Sequence, residues 1–258
     1  MTVSKSFQTV NAANITVEKN DIKTRNTSTF CTFTPLFVQL QTALIMTTTD
    51  SLLAKYADLF QKTTTHQLTK ELCQGTLADR TLFIYLAQDL QFFEEGLRLM
   101  CKISSLAPAP ESLLVLARKI GFFASDENGY FRDALKLLEP QVDETSMHWL
   151  KNRLPQVESY VGQLISMTRE SNWKYPQLIT YLWCAEIVYW KWAHHLPKSS
   201  NLHWKYQTWI DLHDGQHFQE WCDFLRDEVN QFPLKEVEPT FEKFLKLEYE
   251  FFESCYNA

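Results

Sequence analysis

From Thr47 to the C-terminus, apolar side chains recur at three- and four-residue spacing, the period of a helix with one buried face. The segments so marked are roughly 51–63, 65–74, 78–103, 111–123, 129–139, 143–152, 156–169, 177–195, 203–213, 216–230 and 237–254. Breakers separate them at Gly75, Pro108 and Pro110, Asp126-Glu127-Asn128-Gly129, Pro140, Pro155, Pro197 and Pro233. Alternating strand patterns are absent, and no repeat period emerges. The pattern predicts one all-α domain over 46–258, built as a bundle of long helices.

One helix departs from the amphipathic rule. Leu178 to His195 reads LITYLWCAEIVYWKWAHH, with Pro176 before it and Pro197 after it. Apolar and aromatic side chains occupy nearly every face, so burial all round is expected. Inside it stands one carboxylate, Glu186. A buried carboxylate must find partners or shift its pKa upward. Leu182, Trp183, Tyr189 and Trp190 lie at helical spacing from it and could wall a pocket for a flat polar ligand.

Two further acids repeat this setting. Asp89 has Tyr85, Phe92 and Phe93 at minus four, plus three and plus four. Glu248 has Phe244, Phe251 and Phe252 at the same offsets. An acid on an amphipathic helix ordinarily faces solvent, but Glu186 has no polar face to share. The expectation is that Asp89, Glu186 and Glu248 line one aromatic cavity.

Composition narrows the chemistry. The chain has 258 residues, enough for one large domain, and aromatics make up 14% of it. Only six glycines are present, and neither GxGxxG nor a Walker-type loop occurs. A net charge of −6 without a basic stripe argues against nucleic acid as a partner. Six cysteines form no CxxC and no zinc spacing, so buried free thiols and a reducing compartment are expected. No metal site or other cofactor is expected.

Residues 1–45 read differently. They are rich in Thr, Asn and Ser, lack helical periodicity, and carry four bases against two acids. They suggest a disordered or targeting tail, or an upstream start with Met46 as the true beginning. Leu36–Met46 is too short and polar to span a bilayer, and MTVSKSFQTV lacks a signal-peptide core. A cytoplasmic protein off the membrane is expected, with mitochondrial import through the tail as the alternative.

Five stretches in order resemble the TenA, or thiaminase II, family from about His66 to Tyr256. HQLTKELCQGTLADRTLFIYLAQDLQFF is similar to the family's Gly-Thr-Leu turn followed by Tyr-Leu-x-Gln-Asp, which Gln88-Asp89 fits. PQVESYVGQL places Tyr160 at a pocket tyrosine, and YQTWIDLHDGQHF fits a Trp-Ile…Phe segment. LEYEFFESCY places Glu248 at the family's catalytic glutamate. Around Cys184 no proline precedes the cysteine, so Leu182–Tyr189 resembles instead the eukaryotic-type Trp-Ala-x-Glu-x-x-Tyr, with glutamate replacing the nucleophilic cysteine. Positions two apart point to nearly opposite helix faces, so if Glu186 faces the cavity Cys184 faces the packing. Phe92 stands where many relatives have a tyrosine, and His213 stands near another such position.

The resemblance implies a haem-oxygenase-like bundle. It implies hydrolytic release of the amine from aminomethyl-pyrimidine thiamin breakdown products, giving hydroxymethyl-pyrimidine for salvage. Glu248 and Glu186 are then the catalytic candidates. Asp89, Tyr85, Phe92, Tyr160, Tyr189 and Phe252 are the substrate-binding candidates. The partner is a small pyrimidine, and a homo-oligomer, dimer or tetramer, is expected. The rival reading is a non-catalytic regulatory or interaction protein that retains the pocket. A carboxylate-bridged metal oxidase lacks its paired Glu-x-x-His motifs: Glu144 with His148, and His194-His195, have the wrong spacing.

Overall fold

The computed structural model describes residues 46–258, and the expectations for 1–45 lie outside the described residues. The described chain is helical throughout, with no strand. Its order is α1 (Thr48–Lys55), α2 (Ala57–Thr64), α3 (Gln67–Gln74), α4 (Asp79–Ser105), α5 (Pro110–Phe122), α6 (Asn128–Leu138), α7 (Glu144–Met147), α8 (Pro155–Arg169), α9 (Tyr175–His195), α10 (Trp204–His213), α11 (Gln216–Val229) and α12 (Leu234–Asn257). The fold is an all-α bundle.

Helix α9 is its axis. It packs against α12 and α11, while α4 packs against α8, α6 and α5. The lack of a polar face explains this: from Tyr175 to Val188 every α9 residue is buried except Pro176, Gln177 and Glu186. Beyond Val188 the helix emerges, and Trp190 stacks on His194 with centroids 5.1 Å apart. Trp183 turns the other way and stacks on Phe241 at 5.3 Å. Neither tryptophan walls a pocket with Glu186, contrary to the expectation from helical spacing.

The turn before α4 needs its glycine. Gly75 ends α3 at φ +71°, in the left-handed region. The left-handed backbone favours glycine, and a Cβ there would stand 2.7 Å from a Leu202 methyl, which would have to shift. The turn sets the direction of α4, and Gln88 anchors the helix further along. The Gln88 amide donates to the carbonyls of Trp149 (2.8 Å) and Asn152 (2.9 Å) and accepts from the Leu154 N–H (2.8 Å). One residue on, and roughly a quarter-turn around the helix, Asp89 points elsewhere.

Three boundaries differ from the sequence expectation. The predicted helix 51–63 is broken at Tyr56, whose hydroxyl reaches Glu238 and Glu242 on α12, each at 2.9 Å. Helix α12 begins at Leu234 and carries Pro239 within it, close enough to the start that little intrahelical bonding is lost. Most consequentially, Asp126-Glu127-Asn128-Gly129 is not a loop. Residues Phe123–Glu127 form a single π turn that joins α5 to α6 without a break.

Among the described residues, Cys73, Cys184, Cys222 and Cys255 are buried free thiols and Cys101 is an exposed one. No helix among the described residues is long and apolar enough to cross a membrane.

Candidate active site

A cavity opens between α4, the π turn, α6, α9, α10 and α12. Its empty volume, open mouth included, is about 660 Å³. Asp89, Glu186 and Glu248 all line it, and so does Glu127. Aromatic and aliphatic side chains supply most of the rest.

Helix periodicity explains the wall that α4 presents. Asp89, Phe92, Phe93, Gly96, Leu97 and Met100 recur every three or four residues and form one stripe facing the cavity. On α9 the same rule selects Tyr181, Leu182, Ala185, Glu186 and Tyr189. Cys184 is not among them. It is fully buried in the packing, with its Sγ 3.8 Å from the Phe241 carbonyl oxygen, and burial pushes its thiol well above the ordinary range. A thiol so held is a poor source of thiolate.

Tyr85, Tyr160 and Phe252 do not line the cavity, contrary to the expectation that all the aromatic candidates would. They are almost fully buried one layer behind the wall, whereas Phe92 and Tyr189 keep surface open to the cavity. The reason is angular: Tyr85, four residues before Asp89, packs against Phe251 and Phe252 rather than toward open space. From this second layer the two tyrosines act on the acids. The Trp209 indole N–H donates to the Tyr85 hydroxyl (3.1 Å), which donates to Tyr189 (3.3 Å), which donates to Asp89 (3.3 Å). The Tyr160 hydroxyl donates to Glu248 in a short bond.

Burial dominates the electrostatics. It pushes the Asp89 carboxyl up to about 7, with the Tyr85 and Tyr189 hydroxyls pulling back. It pushes Glu248 up to about 8, against the Tyr160 hydrogen bond and with repulsion from Asp89 and Glu186 adding to the rise. Glu186 is raised by burial, moderated by Lys119. His213, also on the cavity wall, is held neutral: burial lowers it to about 3, while its Nδ1 donates to the Trp209 carbonyl at 2.8 Å. No group of three His, Cys, Asp or Glu side chains among the described residues is placed to hold a metal ion. The site therefore presents carboxyls poised near neutrality beside aromatic faces, a setting suited to proton transfer on a flat heterocycle.

Glu127 had no signal of its own in the sequence. It sits within a run of turn-forming residues, and only the π turn carries it inward to 4% exposure. A π turn inserts an extra residue in a helix and commonly marks a functional position.

An all-α bundle enclosing an acidic, aromatic-walled cavity defines a small-molecule site between helices. Residues 53–258 match the TENA/THI-4/PQQC family, and the chain belongs to it. Similar solved structures include a TenA homologue from Pyrococcus furiosus, 19% identical, with TM-score 0.65 over 81% of this chain and 99% of that one. A protein from Silicibacter sp. TM1040 described as a TenA family transcription regulator is 16% identical, with TM-score 0.66 over 82% and 97%. A protein from Sulfolobus solfataricus P2 described as a TenA-like thiaminase is 13% identical, with TM-score 0.62 over 80% and 94%. At these identities the likeness is one of fold. No curated protein matches the chain by sequence.

Proposed function

We propose that the chain is a hydrolase of thiamin metabolism that releases the amine from aminomethyl-pyrimidine breakdown products and yields hydroxymethyl-pyrimidine for salvage. The observation that carries this reading is the meeting of Asp89, Glu186 and Glu248 in one aromatic cavity, with Asp89 and Glu248 pushed to about 7 and about 8. Family membership supports it.

Asp89 is the group for the ring: a carboxyl held by Tyr189 pairs with a ring nitrogen and the ring amino group, between aromatic walls. Glu248 serves as acid and base in turn. Protonated, it gives its proton to the departing amine as the methylene C–N bond breaks. As carboxylate it takes a proton from the water whose oxygen forms the new C–O bond. The products are the alcohol and the amine, and Glu248 ends in its starting state. The Tyr160 hydroxyl fixes the Glu248 carboxyl in place. Glu186 holds the amine or the water. Cys184, buried away from the cavity, takes no part.

The test is incubation of the purified chain with 4-amino-5-aminomethyl-2-methylpyrimidine and quantification of the hydroxymethyl product. Catalytic turnover supports the reading. Tight binding without turnover moves the chain to the non-catalytic alternative, and absence of both sinks the pyrimidine assignment.

A further inference from the structure

The α4 face of the cavity runs from Asp89 to Met100, with Gly96, Leu97 and Met100 beyond the acid and its phenylalanines. Beside α4, Phe123 and Phe131 both pack on Phe93, and between them, one turn from each, Glu127 lines the cavity.

Glu127 is built into this wall. It is 4% exposed, and its Oε1 finds no hydrogen-bond partner among the described residues. Burial raises its carboxyl well above the ordinary range, Lys119 opposes the rise, and repulsion comes from Glu186 before Asp89. Glu248 instead feels Asp89 before Glu186. Lys119 eases Glu127 and Glu186 alike and does not act on Glu248. Lys119, itself 9% exposed, lies behind the wall with its ammonium 4.5, 4.7, 4.8 and 5.4 Å from the ring centres of Phe122, Phe123, Phe218 and Trp221. Burial favours the protonated form of both carboxyls, and one ammonium cannot neutralise two carboxylates, so a second cation in the cavity would let both ionise.

We propose that Glu127 is a specificity-determining residue of this cavity, binding a primary ammonium carried on the leaving-amine side of the substrate, one chain length beyond the scissile nitrogen. The inference rests on the pyrimidine reading above for the orientation of the substrate, and it makes the natural leaving group a substituted, cationic amine rather than ammonia. The bound ammonium supplies the missing charge and the partner that Oε1 lacks.

The test uses the full chain and three pyrimidines whose leaving amines are ammonia, ethylamine and 1,2-diaminoethane, with dissociation constants read by calorimetry alongside turnover. The expected result is that the diaminoethane compound binds the wild type about tenfold or more tightly than the ethylamine compound, the scale of one charge-assisted hydrogen bond. Glu127→Gln should abolish that preference and leave the ethylamine compound within about twofold, on the same scale. A wild type that binds the two alike overturns the proposal, as does a variant that weakens both equally. Binding preference without turnover keeps the Glu127 site and retires the hydrolysis reading. Turnover with a flat binding series does the reverse. If Glu127→Gln loses its helical circular dichroism, Glu127→Asp keeps the charge but retracts it by one methylene. The preference must then shrink for the proposal to stand.

Discussion

Two walls of one cavity carry buried glutamates, and they teach opposite lessons. Helix α9 supplies Glu186 from a segment apolar on every face, so the acid stands out against its surroundings. The π turn supplies Glu127 from Asp126-Glu127-Asn128-Gly129, a run whose composition signals a loop. Both acids end in the cavity, and both are raised by burial. The α9 wall is written in local pattern. The other wall exists because α5 and α6 pack on α4 and hold the chain helical through residues that favour turns. A buried acid is therefore legible where its own helix excludes water, and hidden where tertiary packing does so.

The largest expected effect falls on Glu248, the cavity acid of α12. Glu248→Gln keeps size and the capacity to receive the Tyr160 hydroxyl, but it cannot transfer a proton. Turnover of the aminopyrimidine should fall by ~10²–10⁴-fold, with its dissociation constant nearly unchanged. Asp89→Asn should show the contrasting pattern, weakening binding by about tenfold to a hundredfold, the range for a charged hydrogen bond. If both variants lose binding and keep their rate constant, the two acids have the same job and the division between them is wrong.

A smaller effect concerns stability. Asp89 has an ordinary value of 3.8 and stands at about 7 in the fold. Between those values the folded chain holds more protons than the unfolded one, so this group's contribution falls as pH rises from about 4 to about 7 and then levels off. Asp89→Asn removes that loss. Its melting temperature should exceed wild type at pH 8, and the difference should vanish near pH 4. A variant equally stabilised or destabilised at both pH values would show that Asp89 is not raised in the fold.

The smallest effect on activity belongs to Cys184, which shares α9 with Glu186 but faces the packing. Cys184→Ala should keep most of its turnover while losing ~1–2 kcal/mol of stability, read by denaturant unfolding. A well-folded but inactive Cys184→Ala protein would restore a thiol mechanism and erase the distinction between the two faces of α9.

The sequence by itself determined the all-α class, the order of the helices, the burial of α9 and the three acids set among aromatics. Those features follow from periodicity, breakers and composition, which act over one or two helical turns. Gly75 belongs with them, since the left-handed turn that ends α3 favours glycine locally. Tertiary structure decided which side chains of each aromatic set reach the cavity. Phe92 and Tyr189 face it, while Tyr85, Tyr160 and Phe252 stand behind, where Tyr160 bonds Glu248 and Tyr85 reaches Asp89 through Tyr189. Helical spacing restricts a side chain to a face of its helix. Which face meets open space depends on how neighbouring helices rotate and cross, and that is a property of the whole packing. The fourth acid lay beyond local signals for the same reason. The π turn at Phe123–Glu127 lies where Phe123 and Phe131 pack on Phe93 of α4, and no run of residues there announces it.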